Sequence, residues 1–167
     1  MECGGSGFFV SSSLRFNERK DLSKAFRDNL CEFDAFWIEI ENCNSPKVLI
    51  AAIYNHPRKN STKFIQYLET VLKKISKENK LYVITGDFNL DLLRYDKIPD
   101  AENFIDTMFS NFLQPLILQP TRYTSSKKNH HSSTISLSIQ LTLLPQVETS
   151  FLKSLIICQT SYSLKRN

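Results

Sequence analysis

The sequence predicts an α/β fold, on three observations. A near-continuous apolar run, Val48 to Tyr54 (VLIAAIY), has the composition of a central strand covered on both faces. An amphipathic stretch follows it, and a second short apolar run, Leu81 to Ile84, completes a β-α-β unit. The right-handed crossover such units favour makes the two strands parallel. Both then finish at one sheet edge, which places Tyr54 beside Asp87 and Asn89.

Gly4-Gly5-Ser6-Gly7 reads as a tight turn before the apolar Phe8-Phe9-Val10. The alternative, a phosphate cradle, lacks both the GxxxxGK spacing and a helix signal directly after it. Phe33 to Ile40 (FDAFWIEI) alternates in its later part, Trp37 and Glu39 against Phe36, Ile38 and Ile40, and predicts a strand with one face in the core. Asn42 to Pro46 is a turn signal, and Pro57 closes the strand region after Tyr54. Asn60 or Ser61 is placed to cap a helix running to about Asn79. Phe64, Leu68, Val71, Leu72 and Ile75 form its apolar stripe, leaving Lys63, Lys73, Lys77 and Lys80 as a solvated face.

A second helix is expected over 101–112, with Phe104, Ile105, Met108, Phe109 and Phe112 on its core side. Leu116-Ile117-Leu118 is a short extended run before Pro120-Thr121-Arg122. Residues 124–133 form a polar, basic loop whose His130 and His131 read as solvent-facing. Ile135, Leu137 and Ile139 alternate with serines as a strand would, and the remainder of 134–167 fits strand or helix equally.

Composition narrows the class. Twelve Phe, six Tyr and 41% hydrophobic residues exclude a wholly disordered chain. The net charge of +4 permits nucleic acid as a partner without arguing for it. Four scattered cysteines without a CxxC pair give no expectation of a metal cluster or a disulfide framework. The start, MECGGSGFFV, lacks the pattern of a signal peptide, and no apolar run approaches the roughly 18 residues of a membrane span. A reducing intracellular compartment is the expectation, with no membrane partner and no obligate protein partner.

The chemistry converges on Gly86-Asp87-Phe88-Asn89. Phosphodiester hydrolysis needs a group to orient or deprotonate water and donors aimed at the pentavalent transition state. Asp87 is a candidate for the first role; Asn89 and Tyr54 are candidate phosphate donors. The same four residues also read simply as a strand-ending turn.

GDFN after an apolar strand resembles the signature of the endonuclease/exonuclease/phosphatase superfamily. More narrowly, the chain resembles the endonuclease domain of jockey-like non-LTR retrotransposons. The matching stretches are GGSGFFV at 4–10, FDAFWIEI at 33–40, VLIAAIYNHP at 48–57, ITGDFNLDLL at 84–93 and PTRYT at 120–124. The resemblance implies a four-layer α/β sandwich of two mixed sheets, here partial, within a domain over 1–140 followed by a divergent tail over 141–167. It implies Mg²⁺-dependent nicking of target DNA, DNA as partner, and an intracellular location that extends to the nucleus. It matches Tyr54, Asp87 and Asn89 to family active-site positions, with Thr121 and Arg122 of the PTR motif near the phosphate or DNA.

Two departures from the family pattern lower the expected activity. The family's principal metal-ligand Glu belongs upstream of this chain's start, and Glu2 does not match its context. After PTR, where relatives carry an active-site Asp, the aligned residues are Ser133 to Ile139, and no later Ser-Asp-His follows. The expectation is therefore a truncated, degraded endonuclease domain with little or no nuclease activity. The alternatives are another phosphoesterase of the superfamily and a non-catalytic relic that binds nucleic acid weakly.

Overall fold

A computed structural model of the chain describes residues 6–24, 33–42, 45–56 and 61–113. The expectations for Gly4 and Gly5, for 116–118, for Thr121 and Arg122, for the histidines at 130 and 131 and for everything to 167 lie outside these residues.

Among the described residues four strands form one mixed sheet in the order β1-β2-β3-β4: Arg15–Glu18, Phe33–Asn42, Ser45–Asn55 and Leu81–Asp87. β1 and β2 pair antiparallel, as do β2 and β3, whereas β3 and β4 run parallel. Helix α1 (Thr62–Ile75), extended by a 3₁₀ turn over Ser76–Glu78, makes the crossover between the parallel strands. Asn79 stops it in the left-handed conformation, φ 50°, which Asn tolerates because its short amide bonds locally. A second 3₁₀ turn (Leu92–Arg94) leads to helix α2 (Pro99–Ser110), which opens on a proline whose missing N–H costs nothing there.

The β-α-β unit and the strand-helix order thus agree with the sequence expectation, with longer strands. β1 is the element the sequence reading lacked: Arg15, Phe16, Asn17 and Glu18 are all exposed, so no apolar alternation marks them. Charged residues on such an edge also discourage pairing with another chain.

Side-chain alternation on β2 and β3 sorts the core into two layers. Phe33, Ala35 and Trp37 of β2, with Leu49, Ala51 and Ile53 of β3 and Tyr82 and Ile84 of β4, pack under α1 and α2. On the opposite face Ile38 and Ile40 join Val48, Ile50, Leu81 and Val83, with Phe8, Val10, Leu14 and Phe36 packed against them. The expectation that β2 has one buried face is therefore corrected: both are buried. Its alternation separates two apolar layers rather than core from solvent.

The helix stripes are partly as expected. Phe64, Leu68, Val71, Leu72 and Ile75 are buried, while Ser61 makes no side-chain cap. In α2 the stripe runs through Ala101, Phe104 and Met108 with Ile105 beside it, but Phe109 is 54% and Phe112 76% exposed. The helix ends two residues earlier than its apolar content suggests. The Leu113 N–H bonds to Met108 O and that of Phe112 to Phe109 O, with Phe112 at φ 57°, which is a Schellman ending with Phe in the usual glycine position. Phe112 is thereby turned outward and Leu113 inward.

Trp37 fixes the layer under the helices. Its Nε1 donates to Tyr67 Oη at 2.8 Å, and Tyr67 Oη donates to Leu22 O at 2.7 Å. Burial, with smaller help from nearby Asp34, pushes the Tyr67 phenol well above its ordinary range against the opposing Trp37 bond, so it stays a neutral donor.

An ion-pair network ties the segment after β1 to β2 and to the start of β4. Arg19 reaches Asp21 at 2.8 Å, Glu39 at 3.1 Å and Glu78 at 2.6 Å, and Lys80 reaches Glu39 at 2.8 Å and Glu78 at 2.7 Å. Lys80 is therefore no member of the solvated face expected for it, whereas Lys63, Lys73 and Lys77 are exposed.

The Arg19 bonds hold Glu78 down to about 2 and hold Asp21 below the usual carboxylate range, in both cases against partial desolvation. For Glu39, burial opposes the shift but the Lys80 and Lys47 bonds outweigh it, and the carboxyl is also lowered. Depressed carboxylates stabilise the fold above their unfolded pKa and lose that contribution as pH falls through the folded value. The network should therefore stabilise fully above the ordinary Glu value of 4.5 and fail between 4.5 and about 2. Melting temperatures taken across that window should fall more steeply for the native chain than for Glu78→Gln. Parallel curves would show that the network contributes nothing. Arg19 is shifted upward, so its own titration plays no part in the acid range.

Candidate phosphoester site

The register at the carboxyl ends of the strands builds the site. Tyr54 of β3 pairs with Asp87 of β4 on one side and with Asp34 of β2 on the other. Directly paired residues share a sheet face. Asp34, Tyr54 and Asp87 thus form one row across three strands, at the sheet end where open α/β folds place ligands. Tyr54, Asp87 and Asn89 are all partly exposed and accessible to a ligand.

The approach of β3 and β4 here depends on Gly86, which pairs with Ile53. A Cβ on Gly86 would lie 1.9 Å from Ile53 O, so no other residue fits without separating the strands.

Beyond Asp87 the chain turns sharply. Phe88 points back into the core, 1% exposed, stacked on Phe64 and tilted against Phe104 at centroid distances of 6.0 and 5.2 Å. Asn89 takes the left-handed conformation at φ 47°, its N–H bonded to Asp87 Oδ1 at 3.2 Å. Its Nδ2 donates to Asn55 O at 2.6 Å. An amide nitrogen carries two N–H bonds, so one donor is used for this tie and a second remains.

Tyr54 packs edge-on to His56, ring centroids 5.0 Å apart. Asp34 Oδ2 accepts from Ser6 N at 2.8 Å and Ser6 Oγ at 3.0 Å, which brings Ser6 of the glycine-rich segment to the same end of the sheet.

The structure thus brings together Tyr54, Asp87 and Asn89, as the strand geometry predicted, whereas Thr121 and Arg122 lie outside the described residues. The sequence reading missed Asp34 and Asn55. Asp34 could have been found by counting residues back through the hairpin, had the length of its turn been known. Asn55 had no such signal, because an amide at a strand end is as often a turn residue.

Among the described residues no three His, Cys, Asp or Glu side chains are grouped to hold an ion. Asp34 and Asp87 stand on opposite sides of Tyr54 in the row. Mg²⁺ accepts one or two carboxylates with waters, but needs near-octahedral oxygens around one point. The described residues do not by themselves supply that set. No described helix is long and apolar enough to cross a membrane.

The family model described as endonuclease-reverse transcriptase matches residues 48–152, more than half of the chain. Among solved structures, the endonuclease domain of TRAS1, a telomere-specific non-LTR retrotransposon, shares the fold with a TM-score of 0.60 at 12% sequence identity. That match covers 82% of this chain and 66% of the other, so the chain spans just under two thirds of that domain. No curated protein matches the chain.

Proposed function

The chain belongs to the endonuclease-reverse transcriptase family, and from that premise we propose that it carries the phosphate-facing half of a DNA phosphodiesterase site and cleaves DNA weakly or not at all. One observation carries the reading: the register that sets Tyr54 beside Asp87, with Asn89 held against the end of the same strand pair. In this reading Asp87 orients or deprotonates the attacking water. The remaining N–H of Asn89 and the Tyr54 hydroxyl donate to phosphate oxygens as charge develops on them. Mg²⁺ is the cation the family implies, and among the described residues Asp34 and Asp87 have no third His, Cys, Asp or Glu side chain grouped with them to hold it.

The weakness of cleavage follows from what accompanies these three residues. Among the described residues no three His, Cys, Asp or Glu side chains are grouped to hold an ion, so the phosphate-facing residues stand without a metal centre built from those residues. Loss of one donor to a charged transition state is worth about 2.7–4 kcal/mol, and several losses together would leave little rate. The described sheet, with a second face buried by Ile38, Ile50 and Val83, is also suited to be one half of a four-layer sandwich.

The test is nicking of supercoiled plasmid in Mg²⁺ by the full chain and by Asp87→Ala. Nicking by the native chain should not exceed that of the variant. Robust nicking that disappears in Asp87→Ala would overturn the inactive reading while supporting the role of Asp87. Duplex binding should fall steeply with added salt, because phosphate contacts release counterions.

A further inference from the structure

We infer that Asn55 is a positioning residue for this site, holding Asp87 and Asn89 in place without touching substrate; the inference rests on the reading of those residues given above. Asn55 is the last residue of β3 and only 1% exposed. It follows Tyr54 in the strand, so its side chain lies on the opposite face, toward the helices, opposite Phe33. From there its Nδ2 donates to Phe88 O at 2.9 Å, a fully buried bond. Its own carbonyl accepts from Asn89 Nδ2 at 2.6 Å. The end of β3 and the turn after β4 are therefore tied in both directions, once through the Asn55 side chain and once through its backbone.

The tie spans the residues that carry the proposed chemistry. The Phe88 carbonyl and the Asn89 N–H belong to one peptide unit, so fixing that carbonyl also fixes the N–H that bonds Asp87. With that peptide fixed, Asn89 keeps its left-handed φ of 47° and its N–H stays on Asp87 Oδ1.

Stability alone does not explain an amide here. Asn55 Oδ1 is buried and has no hydrogen-bond partner among the described residues. A buried unsatisfied acceptor costs free energy, and an apolar side chain of similar size would remove that cost only by leaving the buried Phe88 O without its donor. What leucine cannot do is donate to Phe88 O. The amide is thus suited to orienting the turn more than to packing the core.

The experiment compares Asn55→Leu, which adds no charge, with Ile75→Val, a core change at the far end of α1. Hydrogen exchange of the Asn89 backbone and side-chain amides is followed by NMR, alongside the thermal midpoint. Asn55→Leu should accelerate Asn89 exchange at least about tenfold more than its own loss of global stability accounts for, whereas in Ile75→Val the exchange should follow the thermal midpoint. The Asn55 backbone carbonyl survives the change, so release of Asn89 would show that the side chain holds the turn. Should Asn55→Leu fail to fold, Asn55→Ser gives the same comparison, since its shorter side chain cannot reach Phe88 O. Asn89 exchange that follows global stability equally in the Asn55 and Ile75 variants would overturn the inference. Binding of a short DNA duplex is read in parallel: its absence in the native chain counts against the phosphoester reading, while the exchange data still decide the role of Asn55.

Discussion

Gly86→Ala should unfold the protein more than any other addition of a single methyl group. Gly86 pairs with Ile53 in the parallel β3-β4 ladder and has φ of +158°, where side chains are rarely found. The new Cβ would meet three backbone atoms of Ile53, the O at 1.9 Å, the C at 2.8 Å and the N at 2.9 Å. A flexible side chain could swing away from such a contact, but a strand backbone inside a sheet cannot without breaking its ladder. We expect a loss of about 3 kcal/mol or more, at the upper end of overpacking costs. That corresponds to roughly 10 °C or more in melting temperature for a small domain. Gly7→Ala is the matched control, because nothing lies within 4 Å of a Cβ there. It should stay within about 0.5 kcal/mol of the native chain. Circular-dichroism melts of both variants decide the matter, and equal midpoints would refute the account of Gly86. The consequence reaches the site, since parting β3 from β4 also parts Tyr54 from Asp87.

Phe88→Ala is the second large effect. The ring packs against both Phe64 and Phe104, which are themselves stacked at 6.0 Å, so the three form a triangle, and Phe88 is only 1% exposed. Removing it opens a cavity at the junction of β4, α1 and α2, for which about 3–5 kcal/mol is the usual cost. Phe88→Leu retains most of the volume and should lose about 1.5 kcal/mol or less. Urea unfolding separates the two, and an alanine variant within about 1 kcal/mol of the native chain would refute the anchoring role. Because Phe88 stands between Asp87 and Asn89, this ring couples core packing to site geometry: one side chain points into the core while its neighbours face solvent. Phe88→Ala should therefore also loosen Asn89, unlike a core change of equal cost elsewhere.

How far the sequence could be read depended on what each feature is local to. The central strands were legible because VLIAAIY and LYVI are apolar without interruption, and a chain has few uses for such runs other than a covered sheet. The crossover helix was legible from its stripe. That Tyr54 and Asp87 end at one edge of the sheet followed from the β-α-β connection, a rule that holds whatever the side chains, whereas their direct pairing is a matter of register. β1 was not legible: its four residues are all exposed and gain their strand conformation from β2 alone. The direction of Phe112 was hidden as well. It depends on where α2 stops, and a Phe in a left-handed position gives none of the signal a glycine would.

The sequence by itself therefore determined the β-α-β frame and the three residues gathered at its carboxyl edge, because periodicity and crossover handedness act along the chain. Only the tertiary structure decided what surrounds them. It set Asp34 in the same row through hairpin register, and it made Lys80 part of a half-buried ion network with Glu39 and Glu78. It also turned Asn55 into a tie across two strand ends. Each of these is a contact between residues at least 20 apart in sequence, with the single exception of the Lys80–Glu78 pair. Such contacts are fixed by strand register and layer packing, which no local pattern encodes.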